Sequence, residues 1–273
     1  MMVIRTDLAV EAKALWERSA EKTTKLDGVR AQEHDGVTLV EILDDEGAKA
    51  LGKPVGRYLT MELKKYDNDI RKNAKCLARQ LENLIDMDRG QSVLVIGLGN
   101  RAITPDALGP QTVDKLFLTR HLIKNLPQQF GFCRSVSAIT PGVLATTGIE
   151  TLETVRGVVE HVKPDFVIAI DALAAGDMRR LCTTVQVSDT GIAPGSGVGN
   201  RRAAFDEKSL GVKVYALGVP TVVDAQTDCH MIVTPRDIDA RIAYLSSVLS
   251  GALNLVLHSE FDYDDFAQFA TFS

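Results

Sequence analysis

Two short apolar runs, Ser92–Gly97 (SVLVIG) and Asp165–Ile170 (DFVIAI), limit the fold of this chain more than any other feature. Neither alternates apolar with polar positions. Each therefore reads as a strand buried on both faces, as strands of a parallel sheet are when helices cover both sides. Ser135–Ile139, Leu181–Val187 and Val212–Leu217 are further strand candidates. Between or after them, residues of about 111–125, 148–162 and 237–257 carry helical spacing. Strands alternating with helices predict an α/β fold: a doubly wound, mostly parallel sheet flanked by helices in three layers. A small strand-and-helix elaboration precedes it. A helix over 8–22 starts at Asp7 as cap, with Glu11 in its first turn and Leu8, Ala12, Leu15 and Trp16 on one face. Val37–Leu43 and Arg57–Leu63 are strand-like, and a helix over 66–88 turns Ile70, Ala74, Leu77, Leu81, Leu84 and Ile85 inward. With no repeat and no linker, residues 1–273 are expected to form one domain.

Charge and cysteine usage exclude several classes. Lys plus Arg is 31 against 36 Asp plus Glu, a net charge of −5, which argues against sequence-independent binding of nucleic acid. The four cysteines, Cys76, Cys133, Cys182 and Cys229, form no CxxC pair, so reduced thiols in a cytoplasmic-type compartment are expected. Asp7 and Glu11 interrupt any signal-peptide core. No stretch is read as a membrane span of ~20 apolar residues.

In an open parallel sheet, ligands bind in the crevice beyond the carboxyl ends of the strands. Two aspartates fall there. Asp106 lies in Thr104-Pro105-Asp106-Ala107-Leu108-Gly109-Pro110, after the first apolar run, and Asp171 directly follows the second. Neighbouring strands would bring both carboxylates to one crevice. Close carboxylates share a proton, so one member can activate water while the other donates to a carbonyl. The same pair can hold a metal ion that activates the water. Equally, Asp106 can cap the following helix and Asp171 can accept backbone N–H groups in its loop.

Other motifs carry less. Gly97-Leu98-Gly99-Asn100 approximates a dinucleotide fingerprint, but Pro105 stands where its helix would run. Asp189-Thr190-Gly191 copies the pepsin-like triplet once only, in an α/β pattern, and reads as a polar turn. The five histidines (His34, His121, His161, His230, His258) make no HExxH, and no GxSxG elbow occurs. The loop Gly195-Ser196-Gly197-Val198-Gly199-Asn200 can form a nest of N–H groups. Gly195, Ser196, Gly197, Gly199 and Asn200 are therefore candidates for binding substrate or an oxyanion, or for an anion site in a non-catalytic protein.

At these loops the sequence resembles the germination proteases, endopeptidases of spore formers that degrade small acid-soluble spore proteins. The resemblance is carried by IRTDLAVEA, VLVIGLGNRAITPDALGPQTVDKLFLTRHL, SAITPGVLATTGIET, PDFVIAIDALAA, SDTGIAPGSGVGN, GVPTVVDA, MIVTPRDID and the stretch around Asn254. Together these cover most of the chain. The resemblance implies an atypical aspartic peptidase with Asp106 and Asp171 as its catalytic pair and no cofactor. The fold is similar to that of hydrogenase-maturation endopeptidases, which bind metal through carboxylates at these loops. A metal-dependent processing peptidase using Asp106 and Asp171 is thus the alternative, though the third ligand of those enzymes, a histidine, has no evident counterpart. The resemblance further implies a zymogen that cuts itself between Asp7 and Leu8, making 1–7 a propeptide. It implies a homotetramer in the forespore or spore core, with spore proteins as substrate and no direct contact with nucleic acid or membrane. One departure stands out: Ala225–His230 joins GVPTVVDA to MIVTPRDID directly, where well-known members carry a long insertion. It bears on regulation and oligomer contacts, not on the aspartates.

Overall fold

A computed structural model describes residues 6–19, 26–63, 69–88, 90–195, 203–224 and 231–269. Its strands are β1 (Val29–His34), β2 (Val37–Ile42), β3 (Gly56–Glu62), β4 (Val93–Gly97), β5 (Val136–Ile139), β6 (Phe166–Ala175), β7 (Thr184–Ser188), β8 (Lys213–Asp224) and β9 (Ile232–Val233). The helices are α1 (Ala9–Ser19), α2 (Asp45–Leu51), α3 (Ile70–Leu84), α4 (Leu108–Val113), α5 (Arg120–Asn125) and α6 (Pro127–Phe130). After these come α7 (Leu144–Thr147), α8 (Thr151–Val162), α9 (Glu207–Leu210), α10 (Ile238–Leu257) and α11 (Tyr263–Phe269).

All nine strands form one sheet, in the order β1-β2-β3-β7-β8-β6-β4-β5, with β9 beside β8. The strands β5, β4, β6 and β8 run parallel and contain both apolar runs. An antiparallel half, β8-β7-β3-β2-β1, extends the sheet to the other side. The expected α/β architecture is present, and the N-terminal elaboration is the far end of the same sheet. One of its strands, β1, carried no apolar signal because nearly all its residues are exposed.

Each face of β4 and β6 meets helices, which is why neither strand alternates in polarity. Val93, Val95, Phe166 and Ile168 pack with α3 and α10. Leu94, Ile96, Val167 and Ala169 pack with Leu152, Val155 and Val159 of α8. Of the residues expected to face inward on α3, Ala74, Leu77, Leu81, Leu84 and Ile85 are buried. Helix α10 is, by length and composition, apolar enough to cross a membrane, which the sequence reading overlooked; 67% of its apolar window is buried inside the protein.

The helix expected over 111–125 is broken. After a turn at Asp114–Leu116, the chain leaves helical geometry where the N–H groups of Phe117 and Thr119 find distant partners. Phe117 N–H donates to Asn254 Oδ1 at 2.9 Å, and Thr119 N–H to Val136 O at 3.1 Å. Tertiary bonds outweigh local propensity here.

Candidate active site

The decisive feature is a difference in strand length. Strand β4 ends at Gly97, opposite Ile170, whereas β6 continues five residues further to Ala175. Asp171 therefore lies within β6, paired with Gly218, and not in a loop after it as the sequence suggested. Ala-Leu-Ala-Ala has little strand propensity, so the continuation was hidden. Beyond Ile170, among the described residues, no strand pairs with the edge of β6 that faced β4. The opposite edge stays paired with β8, where the register steps from Leu173↔Pro220 to Ala174↔Val222, so the extra residue, Thr221, sits on β8.

Asp171 is only 4% exposed. Its Oδ1 accepts the Ala172 N–H at 2.9 Å, one of the partners a buried carboxylate requires. It follows Val167 and Ala169 on the α8 side of the sheet, past the start of that helix.

Asp106 closes a 3-10 turn, Thr104–Asp106, between β4 and α4. Its carboxylate turns back to accept the Asn100 N–H at 2.8 Å; α4, whose cap is Ala107, has no side-chain cap bond. The capping role considered for Asp106 is thus not what the structure has. Close packing fixes the loop. A Cβ on Gly109 would lie 2.3 Å from Leu98 O and 2.7 Å from Ile170 O, so α4 begins against the residue that precedes Asp171. Gly99, at φ +111, leaves room for the Asp106 carbonyl, which a Cβ would meet at 2.0 Å.

Asp106 and Asp171 line one cleft of about 370 Å³, with Gly142, Gly195 and Glu150 at the start of α8. Of the glycine-rich loop candidates, Gly195 is placed at this cleft; Ser196, Gly197, Gly199 and Asn200 lie outside the described residues. Cys229 and His230 do as well.

The chain's own segment enters the same cleft. Asp7 N–H donates to Ala174 O at 2.9 Å, and Ala174 N–H donates to the Asp7 carboxylate at 2.9 Å. Asp7 thus docks on β6 at Ala174 while its carbonyl reaches Gln186 of β7, so the segment lies over the sheet beyond the end of β4. Leu8 is fully buried against Leu173, Ala175 and Val223, which contributes about 1.5–3 kcal/mol to docking. Three anchors escaped the sequence reading. Lys53 Nζ and Gln186 Nε2 donate to the Asp7 carbonyl at 2.8 and 3.0 Å. Glu11, only 7% exposed, accepts the Gly176 N–H at 2.6 Å and lies 3.5 Å from Arg180. Burial holds the Lys53 pKa below the usual lysine value, against the pull of Asp7 and Glu11. No sequence signal joins residues 46 and 179 positions apart.

Asp189 belongs elsewhere: its carboxylate accepts Arg57 N at 2.8 Å and Arg57 Nε at 2.7 Å, as a polar turn would. Among the described residues no three His, Cys, Asp or Glu side chains cluster as a metal site. A metal at Asp106 and Asp171 would therefore find no third His, Cys, Asp or Glu side chain among them.

Fold and site together define an α/β protein with two aspartates in a cleft where a segment of the chain itself docks on strand β6. The family model for germination proteases matches residues 5–230, and this chain belongs to that family. A germination protease of Caldanaerobacter subterraneus is 43% identical over 307 aligned positions, covering 93% of this chain and 94% of that protein. One from Clostridium perfringens is 38% identical, over 98% of this chain and 99% of its own. One from Bacillus subtilis is 47% identical over 82% of this chain and 64% of its own. The 307 positions exceed the 273 residues here, so the first relative carries residues this chain lacks. The chain is accordingly a protease.

Proposed function

We propose that this protease is a zymogen that cuts its own chain between Asp7 and Leu8 and then begins the degradation of small acid-soluble spore proteins. Asp106 and Asp171 act as an acid pair. The observation that supports this reading is the docking of Asp7 on Ala174 of β6, in the cleft that both aspartates line. Here an acidic residue precedes the bond and a buried leucine follows it.

In this reading the ionised member of the pair takes a proton from water, whose oxygen attacks the Asp7 carbonyl carbon. The C=O π pair moves to the carbonyl oxygen. Collapse of this tetrahedral species returns that pair and breaks the C–N bond, and the protonated carboxyl gives its proton to the Leu8 nitrogen. The products are a C-terminal Asp7 and a chain beginning at Leu8. Residues 1–7 are then the propeptide. The protein works in the spore core as a homotetramer, on protein substrates and without binding DNA or membrane; light scattering after gel filtration tests the assembly.

The direct test is digestion of a purified small acid-soluble spore protein by wild type, Asp106→Asn and Asp171→Asn, each with and without chelator. The acid pair predicts loss of cleavage by at least ~100-fold in either variant and no effect of chelator, since general acid–base groups contribute on that scale. Inactivation by chelator would move the reaction to a metal. Tight anion binding without peptide turnover under any condition would favour a non-catalytic role for the glycine-rich loop.

A further inference from the structure

The carbonyl oxygen of Asp7 carries two donors that the acid pair does not account for. Lys53, just past the end of α2, reaches it with Nζ at 2.8 Å, and Gln186, buried on β7, reaches it with Nε2 at 3.0 Å. Gln186 is held in turn, since its Oε1 accepts the Ala9 N–H at 2.7 Å. The amide therefore grips the chain on both sides of the Asp7–Leu8 bond. Asp7 lines the cleft of Asp106 and Asp171, and it also lines an adjoining cavity of about 170 Å³ that includes Lys53 and Gln186. Asp7 thus borders both the cleft that holds the carboxylates and the cavity that holds the two donors. Donors placed 2.7–3.1 Å from an oxygen that gains negative charge are the arrangement by which acyl-transfer enzymes stabilise their tetrahedral species.

We propose that Lys53 and Gln186 form the oxyanion site of this protease, donating to the carbonyl oxygen of the scissile bond as it becomes negative. The inference rests on the reading of Asp7–Leu8 as that bond. When water attacks the Asp7 carbon, the π pair displaced onto oxygen is met by the Lys53 ammonium and the Gln186 amide. When the C–N bond breaks, the pair returns, and neither donor gives up a proton. A cation here supplies what a backbone N–H supplies elsewhere, and the partial burial of Lys53 strengthens its field. The rival role is mechanical, with both residues merely mooring the segment to β7 and α2.

Hydrogen exchange and self-cleavage separate the two roles in the full chain. The first-order rate of cleavage at Asp7–Leu8 is followed by intact mass for wild type, Lys53→Met, Lys53→Arg and Gln186→Leu. Exchange protection of the Ala174 amide, which bonds to Asp7, reports docking of the segment. The oxyanion role predicts a ~100-fold slower rate in Lys53→Met with Ala174 still protected, as for loss of one such donor. Lys53→Arg recovers part of the rate, and Gln186→Leu slows it with docking retained. An unchanged rate in Lys53→Met overturns the proposal, and so does slowing that appears only where Ala174 loses protection. Cleavage of the wild type at a different bond removes the underlying reading, and the oxyanion assignment falls with it.

Discussion

Single side chains already divide into those poised for chemistry and those sequestered from it. Cys133 and Cys182 are buried, and burial pushes their thiols up to about 12 and about 11. Cys76 is exposed on α3. Since the thiolate is the reactive form, iodoacetamide at pH 8 is expected to modify Cys76 well before Cys133 or Cys182 in the folded protein. Peptide mapping checks this, and equal rates at the three sites would mean the core is open. Asp7 is a different case, because its carboxylate binds the Ala174 amide. Asp7→Ala removes that bond, and self-cleavage at the same site should slow at least ~10-fold if the bond is worth the 1.5–3 kcal/mol usual for a charged acceptor. Maturation at the wild-type rate would show that the acidic residue is not read. The two aspartates were legible from sequence because each comes after a fully apolar run. Lys53, Gln186 and Glu11 were not, since their partners are set by the fold and ordinary polar residues at distant positions carry no pattern.

At the scale of elements, the site depends on how closely α4 begins against β4 and β6. Gly109→Ala would drive a methyl group to 2.3 Å from Leu98 O. It should cost about 1–3 kcal/mol, as overpacking does, and displace Asp106 enough to lower activity. Gly157→Ala on α8 meets nothing within 4 Å and should raise stability by up to ~1 kcal/mol through helix propensity alone. Paired denaturation curves and activities test both; an active, stable Gly109→Ala would mean the loop tolerates movement.

The end of α10 supplies a pH dependence. His258 is fully buried, with Nε2–H donating to Phe117 O at 2.9 Å and its ring against Phe117, Phe261 and Phe266. Burial lowers its pKa, outweighing Phe117 O and nearby Glu260, with Arg134 acting in the same direction as burial. The unfolded chain then binds a proton at about 6.5 that the folded chain refuses. Stability contributed by neutral His258 is full above that pH and declines as pH falls below it, until the lowered folded pKa is passed. Thermal melts from pH 7 to 5 should show this fall, with a shallower slope in His258→Gln. An equal slope would assign the effect to other groups.

For the molecule as a whole, apolar patterning foretold the parallel half of the sheet, its flanking helices and the crevice between them. It did not foretell that β6 outruns β4. That single inequality leaves β6 projecting past β4, and the chain's own Asp7 bonds to the projecting part at Ala174. The physical reason is that strand length past the apolar run is decided by pairing with β8, which no local signal in Ala-Leu-Ala-Ala reveals. Family membership follows from the comparisons. The central mechanistic claim, that Asp106 and Asp171 act on the Asp7–Leu8 bond of the segment docked in their cleft, is tested most directly by intact-mass spectrometry of the purified chain over time, beside Asp106→Asn and Asp171→Asn. The account predicts that wild type loses residues 1–7 while both variants keep them. Loss of the same segment from either variant at the wild-type rate would contradict it.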